Sequence, residues 1–394
     1  MIETYAFNDI QLIDTHVHRI HPGRAPEFGH IGGGYIDGPL QEYNARQTIL
    51  YGMVMEALRL EFGLPETASV GEVEAERHRR YLADPQMYYT NLIKDQKVEM
   101  YCLEVGSPIG GAVYSSEEIE YFNASIPKEK RCSIIRIDRI IDDLLPEKRP
   151  FHSFIQAYHS ELRSRIVKEK AVALKSCAAY YGGLDVEIAD SAQAEKAYET
   201  IRQGKALNGG IKLLNNYILL SSMDTAVEFS LPIQFHTGMG NANYIDIKTM
   251  NPVYLINLLM HKSVLNRVKI VLLHGGHPHE EYTSYLTAQF SNVYTDFSGT
   301  FYLCSLKGAE RMAALLERAP LNKVMYGSDG VMFPEVSWFS HKHFRRQLEK
   351  LFRSMVEEGY LTENRAMDVA GKIMRGNALQ CYTNINNRSQ CYGS

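Results

Sequence analysis

Eight short apolar segments recur along the chain, and each of them ends in polar residues. Their apolar character is nearly continuous rather than alternating, which is typical of parallel strands that are buried on both faces. Helical patterns separate most of these segments, and eight strand–helix alternations favour an α/β fold, the closed (β/α)8 TIM barrel. The predicted strands are Gln11–Asp14, Val98–Leu103, Ser133–Ile137, Ala171–Lys175, Pro232–His236, Lys269–His274, Asn292–Asp296 and Lys323–Gly327.

The gap after the first predicted strand, residues 19–97, is too long for a single helical crossover. It contains a Gly-rich loop around residues 29–34 and helical patterns at Thr48–Phe62 and Val70–Ala83. We therefore expect a mostly helical insertion there, on the face where a site would lie, within one domain that spans residues 1–394. Residues 336–381 predict two or three C-terminal helices. The helices predicted between the later strands are Ala192–Gln203, Asn216–Phe229, Pro252–His261 and Ala309–Arg318.

Length, charge and cysteine content narrow the class of protein. A chain of 394 residues could hold two or three domains, but single barrels run from about 200 to over 400 residues. The net charge of −4 and the lack of basic runs argue against nucleic acid as a partner. We expect no signal peptide and no membrane span, because no suitable apolar run occurs. The six cysteines are scattered, which favours reduced thiols and a cytoplasmic location.

A pair of histidines stands at the end of the first strand. His16 and His18 are two residues apart, so their imidazoles project to the same side of an extended strand. Neutral imidazoles are ligands for Zn, Fe or Mn. Taken alone, the pair is explained equally well by two loop histidines.

Four later strands also end in residues that can bind a metal ion or support one. Lys175 is the last residue of the fourth predicted strand, and His236 and His274 are the last residues of the fifth and sixth. Asp329 lies just beyond the eighth. Because strand C-termini of a barrel converge on one axial pocket, the sequence predicts a metal centre at that mouth.

These six residues, in this order and at these strand positions, resemble the binuclear metal motif of the amidohydrolase superfamily. Longer stretches resemble its amidohydrolase-2 branch, including the FluG-type amidohydrolase domain. The resemblance covers roughly residues 130–380 and the first strand, whereas residues 19–97 match poorly. The stretches are LKSCAAYYGGL, FHTGMGNANYIDIKTMNPVYL, VLLHGGHPHEEYTSYLTAQFSNVYTDFSG, YGSDGVMFPE and GNALQCY.

The resemblance implies two divalent metal ions, with Zn favoured and Fe or Mn as alternatives. It also implies that Lys175 reacts with CO2 to form a carbamate that bridges the ions. The alternative is a cationic Lys175 that pairs with Asp329 or a substrate carboxylate beside a single metal ion. The implied ligands are His16, His18 and Asp329 for one ion and His236 and His274 for the other.

Asp329 and His274 are the predicted catalytic residues. Water between two divalent cations has a lowered pKa and becomes a strong nucleophile. Asp329 is placed to take its proton and to deliver that proton to a leaving group. We also expect Asp14 either to orient a ligand histidine or to cap the strand end.

Weaker signals predict the residues that contact substrate. Arg136 ends the third strand and could clamp a carboxylate, or it could form an ion pair with Asp138 or Glu104. The predicted substrate-binding residues are Arg136, Tyr180, Asn241 and His277.

Several other histidines are expected to be solvated. His277 and His279 follow His274 in the motif HGGHPH, and exposed loop positions are the alternative to a substrate contact. His341 and His343 belong to the C-terminal helical segment, where we expect them to face solvent.

These features give three hypotheses for function. The first is a hydrolase that cleaves an amide or related C–N bond of a small molecule. The second is decarboxylation, C–C bond hydrolysis or isomerisation on the same scaffold, and the third is a binuclear Fe or Mn oxygenase. A non-enzymatic binding module is disfavoured because every ligand position is filled. The predicted partners are a small-molecule substrate and further copies of the chain in a homo-oligomer.

Overall fold

The computed structural model describes residues 7–19, 43–106, 115–205, 208–240, 245–299, 305–331 and 333–385. Eight parallel strands follow one another around the sheet in chain order. Each predicted strand overlaps one of them, so the TIM-barrel prediction is confirmed. The strands are β1 (Leu12–His18), β2 (Val98–Glu104), β3 (Arg131–Arg136), β4 (Ala171–Ser176), β5 (Ile233–Phe235), β6 (Ile270–Leu272), β7 (Val293–Asp296) and β8 (Val324–Met325).

Backbone hydrogen bonds between β1 and the end of β8 close the sheet. The amide of Thr15 donates to the carbonyl of Tyr326 at 3.1 Å, and the amide of Asp329 donates to the carbonyl of His16 at 2.9 Å. The amide of His18 donates to the carbonyl of Gly330 at 2.8 Å. We predicted that the first strand ends at Asp14. These bonds explain why β1 instead continues to His18. They also bring both ends of the predicted metal motif to one edge.

Helices surround this barrel. The predicted helix at 252–261 begins as a 3-10 turn, Pro252–Leu255, and the helix predicted from Asn216 already begins at Asn208. Within the described ranges, no helix is both long and apolar enough to cross a membrane. The helices are α1 (Ile49–Glu61), α2 (Val70–Ala83), α3 (Pro85–Ile93), α4 (Ser116–Asn123), α5 (Ile137–Leu144), α6 (Phe151–Glu169), α7 (Ser191–Arg202), α8 (Asn208–Glu228), α9 (Ile256–Leu259), α10 (Glu280–Gln289), α11 (Gly308–Leu316), α12 (Pro334–Glu357), α13 (Glu363–Gly371) and α14 (Asn377–Cys381).

The described part of the predicted insertion contains α1, α2 and α3. Helix α2 begins with a capping box, in which the Ser69 side chain and Glu72 satisfy each other's backbone amides. Asp84 caps α3, and Pro85 occupies its first turn. The Gly-rich loop lies outside the described residues.

Apolar side chains fill the lower part of the barrel interior, and polar ones are left at its C-terminal mouth. Ile13, Met100, Ile134, Val271 and Met325 form the interior layer, all nearly or fully buried. The polar strand ends lie above this apolar layer, at the mouth of the barrel. Most of their side chains are buried.

Helix α12 corrects one prediction. His341 and His343 are 0% and 5% exposed, so our expectation that they face solvent is wrong. The reason is that α12 packs over the outside of the barrel, where Phe344 and Leu348 join the same apolar layer as β1, β2 and β8.

Candidate metal centre

The predicted ligands from β1 and the end of β8 converge on the carboxylate of Asp329. Its Oδ1 atom lies 3.2 Å from His18 Nε2 and 3.4 Å from His16 Nε2. His16, His274 and Asp329 each offer a ligand atom, and these three atoms lie within 4.8 Å of one another. Side chains more than 300 residues apart along the chain therefore form one compact donor set.

The donors from β4, β5 and β6 complete the cluster. His236 Nδ1 lies 3.0 Å from His274 Nε2, and the two rings meet edge to face. Lys175 projects from β4 and is only 2% exposed. All six predicted metal-site residues thus lie at the C-terminal mouth of the barrel.

Four buried atoms in this cluster lack hydrogen-bond partners within the part of the chain that the structure describes. They are His16 Nε2, His18 Nδ1, His236 Nε2 and Lys175 Nζ, of which His18 Nδ1 lies at ion-pair distance from Glu104. Leaving a buried polar atom unsatisfied is costly, so such atoms in a native fold call for an explanation, and an ion is one. Imidazole and carboxylate donors are those that Zn, Fe and Mn accept, so the residues present fit a metal ion.

Gln234 sets the orientation of His16. Its amide nitrogen donates to the Thr15 carbonyl at 2.8 Å and to the Tyr382 hydroxyl at 2.9 Å. Its Oε1 must therefore accept from His16 Nδ1, 2.9 Å away. The hydrogen of the ring is thus fixed on Nδ1, and Nε2 keeps the lone pair that a metal ion requires.

His274 is held by β7 in the same way. Its Nδ1 lies 3.0 Å from the Ser298 carbonyl, so it donates there and leaves the lone pair on Nε2. Its backbone amide donates to Asp296 Oδ1 at 3.0 Å, and the Ser298 hydroxyl donates to the same oxygen at 2.7 Å. Burial raises the pKa of Asp296 to about 6, against the opposing effect of these donors.

Glu104 is the carboxylate that supports His18. Its Oε2 lies 3.0 Å from His18 Nδ1 and 3.9 Å from Arg136 Nη1. Burial alone would raise the pKa of Glu104, but Arg136 and His18 outweigh it and lower the pKa to about 2. A charged Glu104 therefore fixes the ring so that Nε2 points at Asp329.

Burial decides the protonation of most of the cluster. It lowers the pKa of His16 and His236 well below 6.5, and that of His274 to about 4, so these rings are neutral near pH 7. Burial also lowers the pKa of Lys175. His18 differs, because hydrogen bonds to Asp329 and Glu104 outweigh burial and raise its pKa to about 9.

Asp329 adopts an unusual backbone conformation, with φ at +53°. The left-handed region is unfavourable for a residue with a Cβ atom, and it recurs at functional sites. Gly299 faces it closely, since a Cβ atom there would lie 2.9 Å from Asp329 Oδ2. A glycine at 299 therefore keeps space beside the carboxylate.

The predicted substrate contacts fall into different environments. Tyr180 is half-buried, and its ring meets His236 edge to face at 4.6 Å between centroids. Arg136 is 5% exposed, and its Nη2 lies 2.8 Å from Cys177 Sγ. Its Nη1 lies 3.9 Å from Glu104 Oε2, which fits the ion-pair alternative. Asn241 lies outside the described residues.

His277 is buried rather than solvated, so that alternative is wrong for this residue. Its ring nitrogen Nδ1 lies 2.7 Å from Glu280 Oε1, and Arg311 Nη1 lies 2.8 Å from the same oxygen. Its carbonyl accepts from the Met239 amide at 2.7 Å, which ties the loop after β6 to the loop after β5.

Sequence reasoning missed the residues that orient the ligands. Gln234 precedes His236 by two positions, so strand periodicity places it on the same face, and this signal could have revealed it. Glu104 is the last residue of β2, and the other site residues also lie at the C-terminal ends of their strands. Asp14 does not orient a ligand histidine among the described contacts; it accepts from the Ser328 amide at 2.8 Å.

The eight-stranded parallel barrel brings histidines, a lysine and an aspartate together at its strand ends, on the face where barrel enzymes carry their active sites. Residues 219–383 match the family model described as amidohydrolase. A curated relative, FluG of Emericella nidulans, is 29% identical over 252 residues, which are 61% of this chain. The chain spans only 29% of the length of FluG.

Solved structures show the same fold. One is a Lactobacillus casei protein provisionally described as a metal-dependent hydrolase, with a TM-score of 0.82, 20% identity and 98% of both chains covered. Another is a uronate isomerase from Thermotoga maritima, with a TM-score of 0.67, 16% identity and 95% of both chains covered. The family match over residues 219–383 and the similarity to FluG bear out the predicted resemblance to the amidohydrolase superfamily and its amidohydrolase-2 branch.

Proposed function

We propose that this protein is a metal-dependent hydrolase that cleaves an amide or related C–N bond of a small molecule. The observation that supports it best is the convergence of His16, His274 and Asp329 within 4.8 Å, beside buried nitrogen atoms that lack partners in the described structure. Structural polar networks satisfy their donors internally, whereas this one leaves lone pairs aimed at a common space.

We propose two divalent ions, Zn first, with Fe or Mn also suited to this donor set. Bound cations would lower the pKa of a water molecule and polarise the scissile carbonyl. His16, His18 and Asp329 would hold one ion, and His236 and His274 the other.

Lys175 would bridge the two ions as a carbamate. Burial lowers the pKa of its amine and so favours the neutral, nucleophilic form. That amine would attack CO2, form an N–C bond and release one proton, which gives an anionic ligand in place of a cation. The buried Nζ atom, which has no hydrogen-bond partner among the described residues, supports this assignment.

Asp329 would then act as the base. Its side chain is 13% exposed, so it can meet a substrate, and its carboxylate lies among three histidines. It would accept a proton from the attacking water and deliver that proton to the leaving nitrogen. His274, neutral through burial, would stay an acceptor at Nε2. Tyr180, beside His236, is the proposed substrate contact that the geometry favours.

Metal analysis combined with a substrate screen tests this proposal. We would load the metal-depleted protein with Zn and assay dipeptides, N-acyl amino acids and γ-glutamyl amides. Two equivalents of Zn with amide hydrolysis would support it. One equivalent with an unmodified Lys175, or Fe with O2 consumption, would contradict it and favour isomerisation or decarboxylation in the first case and oxygenation in the second.

A further inference from the structure

A chain of hydrogen bonds passes behind Asp329, on the outer side of the barrel wall. Asp14, which is fully buried, accepts from the Ser328 hydroxyl at 2.5 Å and from the Ser328 amide at 2.8 Å. It also lies 3.1 Å from Nε2 of His341, which α12 supplies. Since a carboxylate only accepts, His341 Nε2 carries the hydrogen and donates it.

The ring of His341 lies between aromatic side chains. The ring of His341 lies 5.9 Å from that of Tyr101 and 5.8 Å from that of Tyr326, measured between centroids. Both tyrosines belong to the apolar layer that α12 closes with Phe344. Placing a carboxylate and a histidine there is costly, and hydrophobic residues of similar volume would serve the barrel at least as well. The packing of α12 therefore does not account for these residues.

These hydrogen bonds reach the residues on both sides of Asp329. Ser328 immediately precedes it, and the Ser328 hydroxyl oxygen also accepts from the Gly330 amide at 3.0 Å. The backbone on either side of Asp329 is therefore tied to Asp14, while Asp329 itself holds the left-handed conformation at φ +53°. Releasing these ties would let the residue relax and move its carboxylate away from His16 and His18.

We propose that His341 is a positioning residue for Asp329, which acts through Asp14 and Ser328 to hold the carboxylate at the metal centre. The inference rests on the proposed function, because it assigns Asp329 to the metal site. It adds a residue of α12 whose described contacts include none of the six proposed metal ligands. Removing an outer partner of a metal ligand typically weakens metal binding by about 10–100-fold.

Cobalt titration of the metal-depleted protein tests this role. Co²⁺ gives visible absorption bands that report on the geometry of its ligands, and titration gives its dissociation constant. His341→Phe keeps the ring and removes the donor, whereas His341→Gln keeps an N–H near the position of Nε2. We expect about 10-fold weaker binding and altered bands for His341→Phe, with both restored in His341→Gln.

A matched control separates this effect from simple repacking of α12. His343 is buried on the same helix and stacks on Phe339 at 5.3 Å between centroids, so His343→Gln should leave the cobalt bands unchanged. A folded His341→Phe with wild-type affinity and bands would overturn the inference. If that variant does not fold, Ser328→Ala takes its place, and an unchanged spectrum there overturns it equally.

The wild-type titration keeps the two proposals distinguishable. If the wild-type protein binds no cobalt, the metal centre itself is wrong, and the inference about His341 falls with it. If the wild type binds cobalt and the variants do not differ from it, only the role of His341 is rejected.

Discussion

Asp329 is the residue at which charge, backbone strain and the proposed chemistry coincide. Asp329→Asn keeps the size of the side chain but removes the negative charge and the proton acceptor. We expect turnover to fall by about 10²–10⁴-fold, the usual contribution of a general base, with the fold retained. The measurement is kcat on the best substrate of the amide screen, with circular dichroism as the check on folding.

Asp95 provides the control for this substitution, because it is exposed and precedes β2, at the opposite end of the strands from the donor set. Asp95→Asn should leave kcat unchanged. Near wild-type turnover in Asp329→Asn would reject the proton-transfer role.

Lys175 is expected to matter through the proposed carbamate. Lys175→Ala should lose bound metal, because the anionic bridge between the two ligand groups disappears. Short carboxylic acids should restore part of the metal content and activity by filling the space with a substitute anion. The metal content of purified protein, measured with and without added acid, checks this; full metal occupancy without acid would argue against a carbamate.

Glu104 should affect metal affinity without being a ligand. Glu104→Gln keeps the shape but weakens the contact that fixes His18, so the dissociation constant for Zn should rise by about 10–100-fold. Glu99 lies on the same strand, where it pairs with Arg375, and Glu99→Gln is the matched control. Equal affinities in the two variants would show that Glu104 does not orient His18.

At the level of elements, a buried ion pair joins the insertion after β1 to helix α12. Arg77 of α2 donates to Glu335 of α12 at 2.7 Å, and both side chains are nearly inaccessible. Tyr88 of α3 donates to the same carboxylate, also at 2.7 Å. Glu335→Gln would remove the charge that faces the buried Arg77 guanidinium, so we expect the free energy of unfolding to fall by about 3–5 kcal/mol.

An exposed pair between the same two parts of the fold gives the control. Lys342 of α12 lies 2.6 Å from Glu61 of α1, and both side chains are at least one-third exposed. Glu61→Gln should therefore cost at most about 1 kcal/mol. Urea denaturation of both variants tests the contrast, and equal losses would mean that the buried pair does not hold the insertion in place.

The strands could be predicted from sequence because burial on both faces leaves an unmistakable apolar run. Their polar tips could be predicted too, since a barrel brings strand C-termini together whatever their spacing. The partners that orient the ligands could not, because His16 and Gln234 are 218 residues apart and only register brings them into contact. His341 shows the converse error: helical periodicity alone does not reveal that α12 packs against the barrel.

For the molecule as a whole, the donor set depends on closure of the barrel. The bonds that close it, from Asp329 to the His16 carbonyl and from His18 to the Gly330 carbonyl, involve the proposed ligands or their neighbours. Metal binding and global stability should therefore be coupled, because ions that bind only the folded state stabilise it.

Chelation tests this coupling. At a free metal concentration of 1,000 times the dissociation constant, binding adds about 4 kcal/mol to the free energy of unfolding. Removing the ions should thus lower the melting temperature by several degrees, and adding Zn should restore it. Asp329→Asn should shrink this difference, since it weakens the carboxylate that His16 and His18 share. A melting temperature that stays constant while metal analysis shows the ions removed would mean that the cluster is already stable without them. The nitrogen atoms that lack partners among the described residues would then need another explanation.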